Sequence, residues 1–506
     1  HALRVPHAYV PSFTFLVFFT AMALMEQPNQ HTSSLLMIAT CIFIIDASIM
    51  SNFSTLLVSE ETNTLYVGAK DYILALDLDN ISQEITRPWL VPEDRWLECL
   101  RRGKSKAECH NYIRVLHKIN TTGLYICGTN AFHPACRHYM TFQLQRKAAD
   151  GRGKCPFEPT GSYASLMFEG SLYSATSNNF LGTEPIILRS LKNPLRTEFK
   201  ASWLNEPTFI HMDLVQDSDT SADKIYVFFT ETAVEFEFYD KLLVSRVAQI
   251  CTGDLGGKRM LRKRWTSFLK STLACSVPES DFQFNVLQDI FVLKTTKRHQ
   301  TIFYGLFTQQ WGKLDISAIC IFRMQTVQDT FQKGSFKGPL AMEDSHTKWV
   351  VYRGDIPTPR PGACVGLSAQ RQGYNSSLDL PDRVLQFASD HPLMDSTLTP
   401  IGQRPALLQR GAKYTKLVVD RTSSLDNETY DILFIGTDKG YLHKAFNCLG
   451  EIFLVEGIQL FPSPEPVQML KLGPQKVPHL SEKTRLSLLL SRFPFPLPTA
   501  LLPAST

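Results

Sequence analysis

Six short apolar segments of one kind recur along the chain, at residues 65–68, 124–129, 172–176, 225–230, 302–308 and 432–437. Leu65-Tyr66-Val67-Gly68 and Ile432-Leu433-Phe434-Ile435-Gly436-Thr437 show the pattern: aromatic and branched residues, a small residue, then a polar break before a second apolar strand. Each reads as a hairpin of adjacent β-strands. Their starts are 59, 48, 53, 77 and 130 residues apart, a unit of about 50 residues with growing insertions. A sheet of that size cannot bury its faces alone and must stack against its neighbours, which favours an all-β propeller over the alternative, a row of sandwich domains. Residues 225–230 and 285–293 are continuously apolar, as central strands covered on both faces should be. Residues 233–238 alternate Val234, Phe236 and Phe238 with Glu235 and Glu237, the pattern of a half-exposed strand. The one clear helix, 381–391, falls in the long insertion before the last repeat.

Composition narrows the class without naming a chemistry. With 44% hydrophobic and 20% charged residues over 506 positions and a net charge of +4, the chain is neither disordered, collagen-like nor a coiled coil, and it does not call for a nucleic-acid partner. Eleven cysteines and five Asn-x-Ser/Thr sequons, at Asn52, Asn80, Asn120, Asn375 and Asn427, favour an extracellular or lumenal protein carrying disulfides and glycans. Two apolar runs, 13–25 and 35–45, are shorter than the roughly 20 residues of a membrane-spanning helix and fit the hydrophobic region of a signal peptide. A buried strand or helix is the other reading. No other segment is long and apolar enough to act as an anchor, and the Pro- and Leu-rich stretch 477–506 reads as an extended tail.

Catalytic and metal-binding patterns are missing. Gly153-Lys154 is followed by Cys155 and Gly256-Gly257-Lys258 by Arg259, where a phosphate-binding loop needs Ser or Thr to hold magnesium. There is no His-Glu-x-x-His and no Gly-x-Ser-x-Gly elbow, and His110, His133 and His346 read as structural or surface residues. The sequence therefore implies no catalytic residue, no cofactor and no metal. Two basic runs, 101–106 and 258–264, are either solvated loops or contacts for an acidic receptor surface or sulfated glycans. Leu261, Trp265, Phe268 and Leu269, interleaved with the second run, read as sheet core rather than as a stacking platform for bases.

A set of ordered motifs carries a family resemblance. They include Leu65-Tyr66-Val67-Gly68-Ala69, Glu108-Cys109-His110-Asn111-Tyr112, Cys127-Gly128-Thr129-Asn130-Ala131-Phe132, Gly153-Lys154-Cys155-Pro156-Phe157, Trp203-Leu204-Asn205-Glu206-Pro207, Trp265-Thr266-Ser267-Phe268-Leu269-Lys270 and Arg360-Pro361-Gly362-Ala363-Cys364. In this order they resemble the sema domain of the semaphorins, most of all class 4. The resemblance implies a seven-bladed β-propeller over 51–476, incomplete at both ends and lacking closing blade elements, flanked by unmatched segments 1–50 and 477–506. It implies disulfides Cys99 with Cys109, Cys127 with Cys136, Cys251 with Cys364, and Cys275 with Cys320, and it assigns no partner to Cys41, Cys155 or Cys448. The implied function is that of an extracellular or cell-surface ligand: a homodimer that binds plexin receptors and directs axon growth and cell migration, often by repulsion. A non-functional or interfering truncated fragment is the alternative reading, and a propeller enzyme with a site in the central channel is a remote one.

Overall fold

The computed structural model describes residues 52–473, apart from 80–83, 145–147, 217–222, 237–240, 281, 296–299, 312–314, 342–346, 424–428 and 462, together with the strand backbones Thr14–Met22 and Ile38–Asp46. Among the described residues, six sheets of at least four strands follow one another along the chain, antiparallel apart from one parallel pairing in the fourth. The first runs from Thr55–Ser59 to Glu84–Pro88, the second from Ile113–Lys118 to Ala149–Asp150, and the third from Ala164–Phe168 to Leu195–Arg196. The fourth opens with Thr208–Val215, the fifth with Val286–Leu293, and the sixth runs from Tyr414–Ser423 to Glu451–Gln459. The fold is an all-β propeller.

The six repeated segments occupy the same place in all six sheets, the second strand from the inner edge. These strands are covered on both faces, and in the fourth sheet eight successive residues, Lys224 to Glu231, are buried. Apolar cores fill the spaces between sheets: Phe228 packs on Phe303 at 5.2 Å across the fourth and fifth, and Tyr173 stacks on Trp265 at 6.3 Å beside the third.

Innermost strands lie side by side in chain order, from Thr55–Ser59 round to Tyr414–Ser423 and on to Leu470–Leu472. A polar side chain fastens each seam. Lys118 Nζ donates to Ser59 Oγ (3.1 Å), His117 Nε2 meets Ser165 Oγ (2.9 Å), and the Phe209 amide donates to Ser162 Oγ (3.3 Å). Further round, Lys294 Nζ donates to Asp213 Oδ1 (2.6 Å), the Leu417 amide to Asp289 Oδ2 (2.9 Å), and Thr415 Oγ1 to the Val467 carbonyl (2.7 Å). Inner strands of the second, fourth, fifth and sixth sheets each carry a register shift, the local kink that bends a strand toward a common axis.

Three sequence expectations change. Strand 285–293 is an inner edge strand, Val286–Leu293, not a central one; its Asp289 accepts the Leu417 amide of the neighbouring sheet, while Leu287 and Ile290 pack toward the fourth sheet and Phe291 and Leu293 toward the sixth. Residues 233–236 do not continue the strand that ends at Thr232, and the exposure is reversed: Phe236 is 48% exposed while the Glu235 side chain is 4% exposed, drawn inward by Arg246; Glu237 and Phe238 lie outside the described residues. Where closing elements are expected to be lacking, a three-stranded sheet pairs Thr14–Met22 antiparallel with Ile38–Asp46 and parallel with Leu470–Leu472. The apolar runs read as a signal-type segment have strand backbone there. The helix at 381–391 is Asp382–Asp390, between Pro381 and His391 as its end residues.

Candidate interaction surface

The long insertion leaves the fifth sheet after its third strand, Ile316–Arg323, and returns as the fourth, Leu407–Arg410. Helix Met324–Lys333 tucks Val327 and Phe331 into the core between the fourth and fifth sheets. The chain then crosses to the fourth sheet, where Leu393–Met394, Phe336–Ala341 and Thr347–Val351 extend the outer strand Leu269–Leu273 to seven strands in all. This covers a sheet edge that would otherwise present unpaired amides and carbonyls.

Aromatic packing and one disulfide hold the insertion down. Phe387, on helix Asp382–Asp390, lies 5.1 Å from Phe336, 5.0 Å from Tyr352 and 4.3 Å from His391. Trp203 stacks on Phe268 at 4.7 Å and donates its indole proton to the Ser389 carbonyl at 2.9 Å. Cys364 is bonded to Cys251, at the end of the third strand of the fourth sheet. Next to the added hairpin, a hollow of about 720 Å³ is lined by Trp349, Tyr352, Arg353, His391, Lys337 and Asp395. A second, of about 640 Å³, opens beside the half-exposed rings of Phe236 and Trp311.

Beneath the insertion lies a buried set of charges that the sequence reading did not single out. Arg246 Nε donates to Glu231 Oε1 at 2.8 Å, and its Nη2 reaches both oxygens of Glu235 at 2.6 and 2.7 Å. Lys270 Nζ donates to the same Glu231 oxygen at 2.6 Å and to the Trp203 carbonyl at 2.9 Å. The Arg246, Glu231 and Lys270 side chains are 0% exposed. Burial holds the Lys270 ammonium below the usual lysine range even with Glu231 beside it. Two acids and two bases thus balance in a dry space, and the only outward signal was a Glu ending the apolar run Phe228-Phe229-Thr230-Glu231.

The remaining cysteines and sequons are spread over the molecule. Cys99 is bonded to Cys109, Cys127 to Cys136, and Cys275 to Cys320; Cys155 is free and fully buried, and Cys448 is free and half-buried. Asn120 and Asn375 are exposed, with the Asn120 side chain accepting the Gly123 amide at 2.6 Å, and Asn52 is half-buried with φ +62°. Asn80, Asn427 and His346 lie outside the described residues, as does Cys41 apart from its backbone. His110 Nδ1 sits 2.6 Å from Asp71 Oδ2, and His133 meets Arg95 and Glu98, so both are parts of local hydrogen-bonded pairs. Among the described residues no three His, Cys, Asp or Glu side chains are grouped to hold a metal ion, and no helix is long and apolar enough to cross a membrane.

The two basic runs differ in state. In the first, Arg102 pairs with Glu98 at 2.5 Å, while Lys104 pairs with Glu158 at 3.1 Å and lies 4.5 Å over the Phe132 ring. In the second, Lys258, Arg259, Arg262 and Lys263 are exposed and none forms an ion pair with a described residue. Leu261, Trp265, Phe268 and Leu269 between and after them are buried.

A family model described as the Sema domain matches residues 287–474. Semaphorin-4D of Mus musculus is 49% identical over 434 residues, covering 84% of this chain and 50% of that protein, and Semaphorin-4C of Mus musculus is 41% identical over 437 residues, covering 84% and 52%. The chain spans about half the length of the curated relatives it matches. Among solved structures, Drosophila Semaphorin 1a, extracellular domains 1-2, superposes with TM-score 0.72 at 33% identity, covering 82% of this chain and 81% of that one. The structure of Drosophila Plexin A in complex with Semaphorin 1b matches with TM-score 0.72 at 30% identity, covering 83% and 81%.

Proposed function

The chain belongs to the semaphorin family, and on that premise we propose that it is an extracellular signalling ligand that binds a plexin receptor and works by protein recognition rather than catalysis. The observation that carries this reading is the match to the structure of Drosophila Plexin A in complex with Semaphorin 1b, at 30% identity over most of both chains. The ring is a seven-bladed propeller whose seventh blade begins at Leu470–Leu472, a reading supported by Met469, which packs against the core of the first sheet, and by the bond from Thr415 to Val467 at the other seam. A homodimer brings two receptors together and gains avidity from bivalency. The cellular outcome is redirection of axon growth and cell migration. Glycans at the exposed Asn120 and Asn375, and four disulfides, suit secretion through an oxidising compartment.

The test is binding of the secreted chain to immobilised plexin ectodomain, read together with its elution volume. A dimer that binds supports the proposal. A folded chain with no affinity for any plexin ectodomain overturns it, and a monomer that binds and blocks a dimeric semaphorin supports the interfering reading instead.

A further inference from the structure

We propose that the loop 256–264, with Arg196 beside it, is a binding site for a sulfated glycan. Gly256 (φ +78°), Leu261 (φ +50°) and Lys263 (φ +57°) let the chain fold back tightly, and Leu261 anchors the turn at 6% exposure. Hydrogen bonds close it: the Gly257 and Arg264 amides donate to the Leu261 carbonyl at 3.1 and 2.9 Å, and Asp254 Oδ2 accepts the Thr266 and Ser267 amides at 2.8 and 3.0 Å. With its apolar residues turned inward, the loop turns Lys258, Arg259, Arg262 and Lys263 out, and none of them has an acidic partner among the described residues. The backbone that carries them is fixed before any ligand arrives, so binding orders the four side chains but not the loop.

A second observation points to an anion independently. Arg196 and Arg264 face each other as a parallel bridge, joined by the Arg196 amide on the Lys263 carbonyl (3.3 Å) and the Trp265 amide on the Arg196 carbonyl (3.1 Å). Like charges directly opposite on adjacent strands repel. Each has one carboxylate at the far end of ion-pair range, Arg196 Nη1 3.7 Å from Glu184 and Arg264 Nε 3.8 Å from Glu198, yet Arg264 Nε is buried without a hydrogen bond. An anionic group beside Arg264 would supply the missing acceptor.

The class of anion follows from the side chains and the compartment. Arg259, Arg262, Arg264 and Arg196 offer planar forks that match a sulfate group, and the free cations form a short continuous run suited to a linear polyanion. The loop has no aromatic side chain and Trp265, which follows it, is 0% exposed, so a single-stranded nucleic acid has no ring here on which to stack its bases. A chain stabilised by four disulfides belongs where the linear polyanions are sulfated polysaccharides. The first basic run is a poorer site, because Arg102 and Lys104 are already paired with Glu98 and Glu158 and only Arg101 and Lys106 stay exposed without an ion pair among the described residues.

The experiment measures binding of the full chain to immobilised heparin, and to chemically desulfated heparin, across a salt series. The variants are Lys258→Ser/Arg259→Ser/Arg262→Ser/Lys263→Ser and, as control, Arg101→Ser/Lys106→Ser. Removing four cations should weaken heparin binding by about tenfold or more and reduce the slope of log affinity against log salt by about 3, by analogy with counterion release from flexible polyanions. The control should bind as the parent chain does, and desulfated heparin should bind neither. All four replaced residues are exposed, and an unchanged elution volume and thermal midpoint verify the fold. Equal heparin affinity in parent and fourfold variant overturns the site. Equal affinity for desulfated heparin overturns the sulfate requirement. A fourfold variant that keeps heparin but loses the plexin ectodomain reassigns these cations to an acidic protein surface and likewise overturns the proposal. The heparin measurements are independent of whether the parent chain binds plexin.

Discussion

Glu231 sits at the end of an eight-residue buried run and accepts from both Arg246 and Lys270. Replacing it, Glu231→Ala, leaves two buried cations with Glu235 alone, and the expected loss is about 3–5 kcal/mol, read by denaturant unfolding. A loss under about 1 kcal/mol would mean that water reaches the cluster. His117 is a second case. Burial, with Lys471 adding to it, pushes its imidazole down to about 4, so the folded protein resists protonation while an unfolded chain takes up a proton near the ordinary value of about 6.5. The unfolded state then binds more protons between these values, and stability falls as pH drops from about 6.5 to about 4. His117→Asn should remove on the order of 2 kcal/mol of that decline. Identical pH profiles for the two proteins would sink the assignment. Neither residue's role was readable beforehand, because an isolated Glu or His in a sequence does not disclose which strand will lie opposite.

The insertion is the element that connects the fourth and fifth sheets, and its disulfide spans a sequence separation of 113. Cys364→Ser should cost about 4–5 kcal/mol in the chain-entropy model and make residues 336–406 the first target of limited proteolysis. Cleavage elsewhere first would show that the aromatic packing around Phe387 suffices. Peptide mapping of the unreduced protein tests all four bonds directly. The same element shows where pattern reading stops. The second strands of the sheets were legible because both of their faces are covered, which forces continuous apolar sequence. Phe336–Ala341, added at an outer edge and containing Gly338 and Pro339, carries no such pattern. Residues 233–238 misled for a related reason, since an inward Glu and an outward Phe reverse the usual alternation once Arg246 is there to receive the carboxylate.

At the scale of the molecule, a ring holds only if every seam is packed. At the last seam Phe461, Val467 and Leu470 are buried with Val418 and Phe434 of the sixth sheet. The approach is close: a Cβ on Gly436 would come within 2.6 Å of Val467. Leu470→Ala should cost about 2–5 kcal/mol if this strand completes the packing of the ring, measured as a shift in the unfolding midpoint. A change within about 0.5 kcal/mol would show that the sixth sheet holds without it.

Taken alone, the sequence determined the repeat, the all-β class, the disulfide-bearing character and the family, because strand periodicity and ordered motifs are local properties that survive without knowledge of neighbours. Only the tertiary structure decided which cations are free. Runs 101–106 and 258–264 are both strongly basic, yet in the first Arg102 and Lys104 are paired with Glu98 and Glu158, which lie on the helix Glu93–Arg101 and on a loop 54 residues beyond Lys104. In the other, Lys258, Arg259, Arg262 and Lys263 stand clear of described acids, with Arg196 brought beside Arg264 from 68 residues away by the pairing of outer strand and loop. Charge pairing is set by distance in space, and that distance exists only after the sheets have stacked.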